Sequence, residues 1–139
     1  MIEKIKQQIS ASIAVKESMF HYCIEDIQSA ASLMIDSIRK GGKIFWCGNG
    51  GSAADAQHLA TELMGGMTSH DRKPIPSIAL TTDSSFITAW SNDTGFESIF
   101  SRQIQGLGKA GDVLIGISTS GNSENVLAAV KQAKFKELL

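Results

Sequence analysis

The sequence predicts an α/β fold with a parallel sheet flanked by helices, and three observations lead to this prediction. Short apolar segments of strand length alternate with longer segments whose apolar residues recur at helical spacing. Two of the strand-like segments run directly into polar turns, one rich in glycine and one rich in hydroxyls, that open a helix. Strands that alternate with helices are typical of parallel sheets with right-handed crossovers.

The first 40 residues are predicted to form two helices. One apolar series comprises Ile2, Ile5, Ile9 and Ile13. A second series follows a break near residues 21–23, and it comprises Ile24, Ile27, Met34, Ile35 and Ile38. Two helices exceed the cover that a small sheet needs, so we expect this pair to pack against another subunit.

Residues 41–139 are predicted to hold the sheet and its covering helices. Lys43–Cys47 is a short, mostly apolar strand, which indicates burial on both faces. Further strands are expected at 77–80 and 112–117. The other predicted elements are a helix at 52–64, a surface loop at 67–76, a capped helix ending near 90, a loop at 91–95, a helix at 96–107 and a helix from 124 to the end of the chain.

Composition bounds the class of protein. At 139 residues the chain has the size of one domain, and its formal net charge of −1 gives no general attraction to nucleic acid or to an anionic membrane. The amphipathic N-terminus argues against a signal peptide, and no apolar run approaches bilayer-spanning length. Cys23 and Cys47 have no metal-binding or redox spacing and are expected to be small buried apolar residues. These observations favour a soluble cytoplasmic domain.

The most informative segment is the turn after the first strand, residues 48–52 (Gly-Asn-Gly-Gly-Ser). Glycines let the backbone approach a ligand closely, and free N–H groups at the start of a helix attract an anion. The spacing matches neither a P-loop nor the dinucleotide fingerprint. The alternative is a tight turn in which Ser52 caps the following helix.

A second polar turn follows the 112–117 strand. It carries Ser118, Thr119, Ser120 and Ser123, which bring hydroxyls and backbone N–H groups suited to a phosphate monoester. The alternative is that Ser120 or Ser123 merely caps the last helix. Because the carboxyl ends of parallel strands meet at one edge of a sheet, the two turns together predict an anion site there.

Two pairs of residues could carry chemistry next to this site. His58 and Glu62 lie four residues apart on the predicted 52–64 helix, so they share a face and could share a metal or a proton. Zinc accepts both ligand types but needs three or four protein groups, and a surface contact is the alternative. Asn92 and Asp93, before a glycine, could bind sugar hydroxyls or form a plain turn.

Four ordered segments resemble the phosphoheptose isomerases, which belong to the sugar isomerase (SIS) domain proteins. They are residues 48–58, 91–96, 100–103 and 116–123, and the resemblance covers about residues 40–134. It implies a single SIS domain built as a three-layer sandwich. In this domain the α/β core is residues 41–139, and the N-terminal helical pair, residues 1–40, serves oligomerisation.

The resemblance further implies isomerisation of sedoheptulose 7-phosphate to D-glycero-D-manno-heptose 7-phosphate through an enediol, for bacterial surface heptose. The expected partners are this sugar phosphate, a zinc ion and further copies of the chain in a homotetramer or dimer. The implied phosphate ligands are Ser52, Ser118, Ser120 and Ser123, with help from Thr119. The residues implied to line the sugar are Asn49, Gly50, Gly51, Asn92 and Asp93. His58 and Glu62 would bind zinc, and Glu62 would also be the catalytic base.

Two departures from the family pattern accompany the resemblance. The family's arginine after the His/Glu helix is replaced by glycine, with Arg72 the nearest substitute. The family also continues past the position of Leu139, with a Gln and a His that complete the zinc site, so we expect a C-terminally truncated chain. A non-catalytic SIS module that binds a phosphosugar or the replication initiator is the alternative. Glu62 argues for the enzyme, because a pure binder does not need an acidic group beside His58.

Overall fold

A computed structural model describes all 139 residues and has the predicted α/β architecture. The elements are α1 (Ile2–Tyr22), α2 (Ile24–Arg39), β1 (Ile44–Gly48), α3 (Gly51–Gly65), β2 (Ser77–Ala79), α4 (Ser84–Asp93), a 3₁₀ turn (Phe96–Ser98), α5 (Ile99–Leu107), β3 (Val113–Ile117) and α6 (Glu124–Phe135). They form two compact units, Met1–Leu33 and Met34–Leu139.

The sheet has three parallel strands in the order β2-β1-β3. Strand β1 is central, with Ile44 opposite Ser77 of β2 and opposite Val113 of β3. At the other end of the β1–β3 pair, Gly48 lies opposite Ile117. The turns that follow these two strands therefore start side by side, as the sequence predicts.

Strand β1 is buried on both faces because its side chains alternate between two hydrophobic layers. Phe45 and Cys47 pack into a cluster with α5 and α6. Ile44 and Trp46 pack into a second cluster that includes α3 and the end of α2. Burying a large apolar side chain stabilises the fold by about 1.5–3 kcal/mol. This arrangement is the three-layer sandwich that the family resemblance implies. Burial of Cys47 between the layers raises the pKa of its thiol to about 12.

Helix α6 lies close to β3 because residue 116 is a glycine. A Cβ atom at Gly116 would lie 2.6 Å from Val126 Cγ1, and Val126 is 5 % exposed. A side chain at this position would displace Val126. The contact holds the first turn of α6 against the sheet, directly after the hydroxyl-rich turn.

The predicted N-terminal helices are present, with the break at Cys23. Helix α1 has no buried residue in the single chain, and Ile2, Ile5, Ile9 and Ile13 are each more than half exposed. Helix α2 places its C-terminal part on the sheet through Met34 and Ile38. No helix is both long enough and apolar enough to cross a bilayer.

Three element boundaries differ from the predictions. Helix α4 continues through Asn92 and Asp93, which were expected in a loop; its last turn closes with the Thr94 N–H donating to Trp90 O at 2.9 Å. A 3₁₀ turn precedes α5, where one helix from 96 was expected. Helix α6 ends at Phe135 rather than at the chain end, and Leu139 instead exchanges backbone hydrogen bonds with Asp112 and Leu114.

One buried ion pair ties β1 to the segment that leads into β3. Lys43 Nζ donates to Asp112 Oδ2 at 2.7 Å, and the Asp112 side chain is 4 % exposed. The backbone N–H groups of Lys43 and Lys109 also donate to this carboxylate, at 3.0 and 2.8 Å. Burial alone would raise the pKa of Asp112, but these hydrogen bonds and the lysine charge outweigh it and lower the pKa.

This ion pair predicts acid sensitivity. Because the pKa of Asp112 is lower in the folded than in the unfolded chain, its stabilisation is complete above the unfolded value of about 3.9 and is lost as pH falls further. We expect Asp112→Asn to lower the free energy of unfolding by roughly 3 kcal/mol at pH 7 and to flatten its decline in acid. Urea unfolding between about pH 2 and pH 7 measures both effects. Asp36→Asn is the control, since Asp36 forms an exposed pair with Arg39 at 4.0 Å.

Candidate functional site

The glycine-rich turn is formed by a close approach of backbones at the end of β1. A Cβ atom at Gly48 would lie 2.8 Å from Ser52 O and 2.9 Å from Ile117 O. Gly50 follows with φ of 55°, a conformation that side chains disfavour, and it is the N-cap residue of α3. Because Gly50 is the N-cap residue, Ser52 lies within the first turn of α3 and does not cap the helix. The Ser52 hydroxyl makes no side-chain hydrogen bond within the chain, so it is free to contact a ligand.

The hydroxyl-rich turn gathers three serine side chains. Ser118 Oγ lies 3.0 Å from Ser123 Oγ and 3.4 Å from Ser120 Oγ. Ser120 Oγ also accepts from the Asn122 N–H at 3.1 Å, which shapes the turn. Ser123 occupies the N-cap position of α6, yet its side chain accepts no backbone N–H there. The N–H groups of this helix start remain available beside a cluster of hydroxyls, and such a set of donors suits a phosphate.

A pair of amides joins the two turns. Asn49 Nδ2 donates to Asn125 Oδ1 at 2.8 Å, and Asn125 Nδ2 donates to Asn49 Oδ1 at the same distance. Asn125 is 3 % exposed and lies in the first turn of α6. Sequence reasoning did not identify Asn125, because one asparagine near a helix start indicates no more than capping. The only signal was its position, two residues after Ser123.

His58 and Glu62 share one face of α3, as their spacing predicts. His58 Nε2 lies 3.9 Å from Glu62 Oε1, and the side chains are 72 % and 30 % exposed. One zinc ion, with ligand bonds of about 2.1 Å, could contact both atoms. No third His, Cys, Asp or Glu joins them in a group of metal-ligating side chains. The pair therefore fits half of a zinc site, and its direct contact is too long for a hydrogen bond.

Arg72 does not enter this pair. Its guanidinium donates to the backbone carbonyl of Glu62 at 2.6 Å, and the Gly66 N–H donates to the same oxygen at 2.9 Å. Arg72 thus closes the C-terminal end of α3 and fastens the 66–76 loop to it. Its contribution to the site is to hold the helix turn that carries the Glu62 carboxylate.

Asn92 and Asp93 lie at the C-terminal end of α4. Both are exposed, and Asn92 Nδ2 donates to Asp93 Oδ1 at 2.8 Å. A cavity of about 150 Å³ adjoins the glycine-rich turn, and neither residue lines it. Its lining residues are Gly48, Asn49, Gly50, Ala53, Thr81, Ile87, Phe96, Ile99 and Phe100. The structure thus brings together the two turns and places His58 and Glu62 on the helix that the first turn opens.

Comparison with known proteins decides the family. The model of the SIS domain matches residues 8–138. A phosphoheptose isomerase of Neisseria gonorrhoeae (strain NCCP11945) is 48 % identical over 136 residues, which are 98 % of this chain and 68 % of the relative. One from Aquifex aeolicus (strain VF5) is 48 % identical over 133 residues, 96 % of this chain and 69 % of the relative.

The chain belongs to the phosphoheptose isomerase family. Solved structures agree with this assignment. The phosphoheptose isomerase of Neisseria gonorrhoeae superposes with a TM-score of 0.91 at 46 % identity, covering 98 % of this chain and 70 % of that one. The enzyme of Francisella tularensis superposes with a TM-score of 0.94 at 39 % identity, covering 99 % and 71 %. The predicted SIS fold is therefore confirmed, and this chain spans about two thirds of the length of the phosphoheptose isomerases it matches.

The close approach at Gly48 predicts that this position tolerates no side chain. We expect Gly48→Ala to lower the free energy of unfolding by about 1–3 kcal/mol, because the new methyl group would meet two carbonyl oxygens. Urea denaturation measures the loss. Gly51→Ala is the matched stability control, since a Cβ atom there meets nothing within 4 Å. Equal stability of the two variants would contradict the prediction.

Proposed function

We infer that this chain is an aldose–ketose isomerase that converts sedoheptulose 7-phosphate to D-glycero-D-manno-heptose 7-phosphate. The observation that carries the proposal is the convergence of the two turns, joined through Asn49 and Asn125, in a chain 48 % identical to phosphoheptose isomerases. The hydroxyls of Ser118, Ser120 and Ser123 supply a cradle for the phosphate. The product would serve synthesis of bacterial surface heptose.

The remaining site residues divide between the two ends of the substrate. Besides the three serines, Ser52 and Thr119 are proposed to contact the phosphate. Asn49, Gly50, Gly51, Asn92 and Asp93 are proposed to contact the sugar. Asn92 and Asp93 lie at the C-terminal end of α4, where their side chains are exposed. A sugar would therefore contact them at the surface of the chain.

Glu62 is proposed as the group that moves the proton. Its carboxylate removes a proton from C1 of the ketose, and the electron pair of that C–H bond forms the C1–C2 double bond of the enediol as O2 takes up a proton. Glu62 then returns the proton to C2 while the O1 hydroxyl loses its proton and C1 becomes the aldehyde carbon. Glu62 is 30 % exposed, so the carboxylate can reach a bound ligand.

A zinc ion is proposed as the cofactor, with His58 and Glu62 as two of its ligands. The support is their shared helix face and the 3.9 Å between Nε2 and Oε1. A zinc ion would supply a Lewis acid that stabilises the negative charge developing on the sugar oxygens. No other His, Cys, Asp or Glu side chain of this chain is grouped with the pair, so His58 and Glu62 are the only ligands proposed here.

The chain is further proposed to act as a homotetramer or dimer in the cytoplasm. The exposed isoleucines of α1 favour assembly, because a monomer would leave a continuous apolar helix face in water. Two cysteines without a disulfide suit a reducing compartment.

The role of Glu62 is tested by Glu62→Gln. We expect the variant to retain affinity for sedoheptulose 7-phosphate within about threefold and to lose at least 100-fold in exchange of the C1 proton with solvent deuterium, because an amide cannot accept that proton. Exchange is followed by proton NMR and affinity by calorimetry. Glu3→Gln, a change of an exposed glutamate on α1, is the control. Undiminished exchange in Glu62→Gln would refute the catalytic role, and no turnover by the unchanged protein with zinc would refute the function.

The zinc ligands are tested by direct metal titration. We expect His58→Ala to weaken zinc binding by at least tenfold, because it removes one of the two donors present. His70→Ala is the matched control, since His70 lies in the loop after α3 with its ring facing Gly65 O at 3.3 Å. Calorimetric titration with zinc alone measures both variants. Equal zinc affinity of the two would exclude His58 as a ligand.

A further inference from the structure

The reciprocal amide pair of Asn49 and Asn125 is the direct side-chain link between the two turns of the site. Its partners are 76 positions apart in sequence, and both hydrogen bonds are 2.8 Å long. Asn125 is nearly inaccessible at 3 % exposure, and Asn49 is half-buried. Each amide gives one donor and one acceptor to the other, and each keeps one N–H and one lone pair for other partners.

The Asn49–Asn125 pair also connects the backbone of the glycine-rich turn to the helix start beside the serine cluster. On one side, Asn49 O accepts the Ser52 N–H at 3.0 Å, so the position of Asn49 sets the turn that presents Ser52. On the other side, Asn125 lies two residues after Ser123, whose hydroxyl contacts Ser118 at 3.0 Å. A displacement at either amide would change the separation between the glycine-rich turn and the serine cluster.

We propose that Asn125 is a positioning residue. It holds Asn49 and thereby fixes the glycine-rich turn, with the helix that carries Glu62, at a set distance from the serine cluster. A ligand that reaches from the serine cluster to Glu62 depends on that distance, whereas a small anion on the serines does not. This inference rests on the proposed sugar-phosphate function for the identity of the ligand, but the link between the turns is a property of the chain itself.

The link is tested first without any ligand. We expect Asn125→Ala to speed hydrogen exchange of the Ser52 N–H about tenfold, as follows from losing one local hydrogen-bonded constraint. The Leu80 N–H, which donates to Trp46 O at 2.9 Å directly after β2, should change less than twofold. Heteronuclear NMR resolves both amides.

A matched control separates positioning from general loss of stability. Ser37→Ala removes a buried side-chain hydrogen bond of 2.6 Å to Gly111 O. This bond lies near the amino end of β3, at the end of the sheet opposite the two turns. It should lower the melting temperature without a preferential effect on the Ser52 N–H. Combining Asn49→Ala with Asn125→Ala should add nothing to the larger single effect, because both remove the same pair. Equal acceleration of Ser52 and Leu80 exchange in Asn125→Ala would overturn the proposal.

Ligand binding gives the second arm. We expect Asn125→Ala to weaken sedoheptulose 7-phosphate binding at least fivefold and inorganic phosphate binding less than twofold, measured by calorimetry well below the melting temperature. Equal losses for both ligands would overturn the positioning role and leave a local effect on the serine cluster. Absence of sedoheptulose 7-phosphate binding by the unchanged protein would instead refute the proposed function and the ligand part of this inference. The exchange result would then still decide whether Asn125 links the turns.

Discussion

Burial of β1 on both faces is the constraint on which the rest of the structure depends. Phe45 and Cys47 fill one helical layer, while Ile44 and Trp46 fill the other. Because helices cover both faces of β1, the chain continues beyond the sheet at the carboxyl end of this strand, at Gly48. The first turn of the site therefore emerges at the centre of the sheet, next to the end of β3, and its position follows from the packing of the core.

The fold was predictable from the sequence because its signals are local and repeated. The apolar run at 44–47 and the glycines that follow it define the central strand and its turn without knowledge of distant residues. The errors have local physical causes. The polar run Ser-Asn-Asp at 91–93 is typical of a loop, but its backbone groups complete the last turn of α4 because Thr94 closes that turn on Trp90.

The candidate site was predictable in its parts and not in its connections. The sequence identifies Ser118, Ser120 and Ser123 as candidate anion ligands, and the structure brings their hydroxyls together. Asn125 could not, since its role depends on a partner 76 positions away in a different turn. Whether Ser52 caps α3 also could not be decided from the sequence. In the structure Gly50, which has a positive φ, is the N-cap residue, two positions before Ser52.

The parallel pairing of β1 with β3 has a consequence for how the chain is made. Val113 follows Gly48 by 65 positions (113 − 48), so at about 5–20 residues per second a ribosome takes roughly 3–13 s to deliver the second neighbour of the central strand. During that interval the uncharged run 44–47 has an open edge that another nascent strand could join. Lys43, immediately before the run, places a charge where such an association would begin. The lysine that binds Asp112 in the folded protein therefore also stands at the flanking position that gatekeeper residues occupy beside apolar strands.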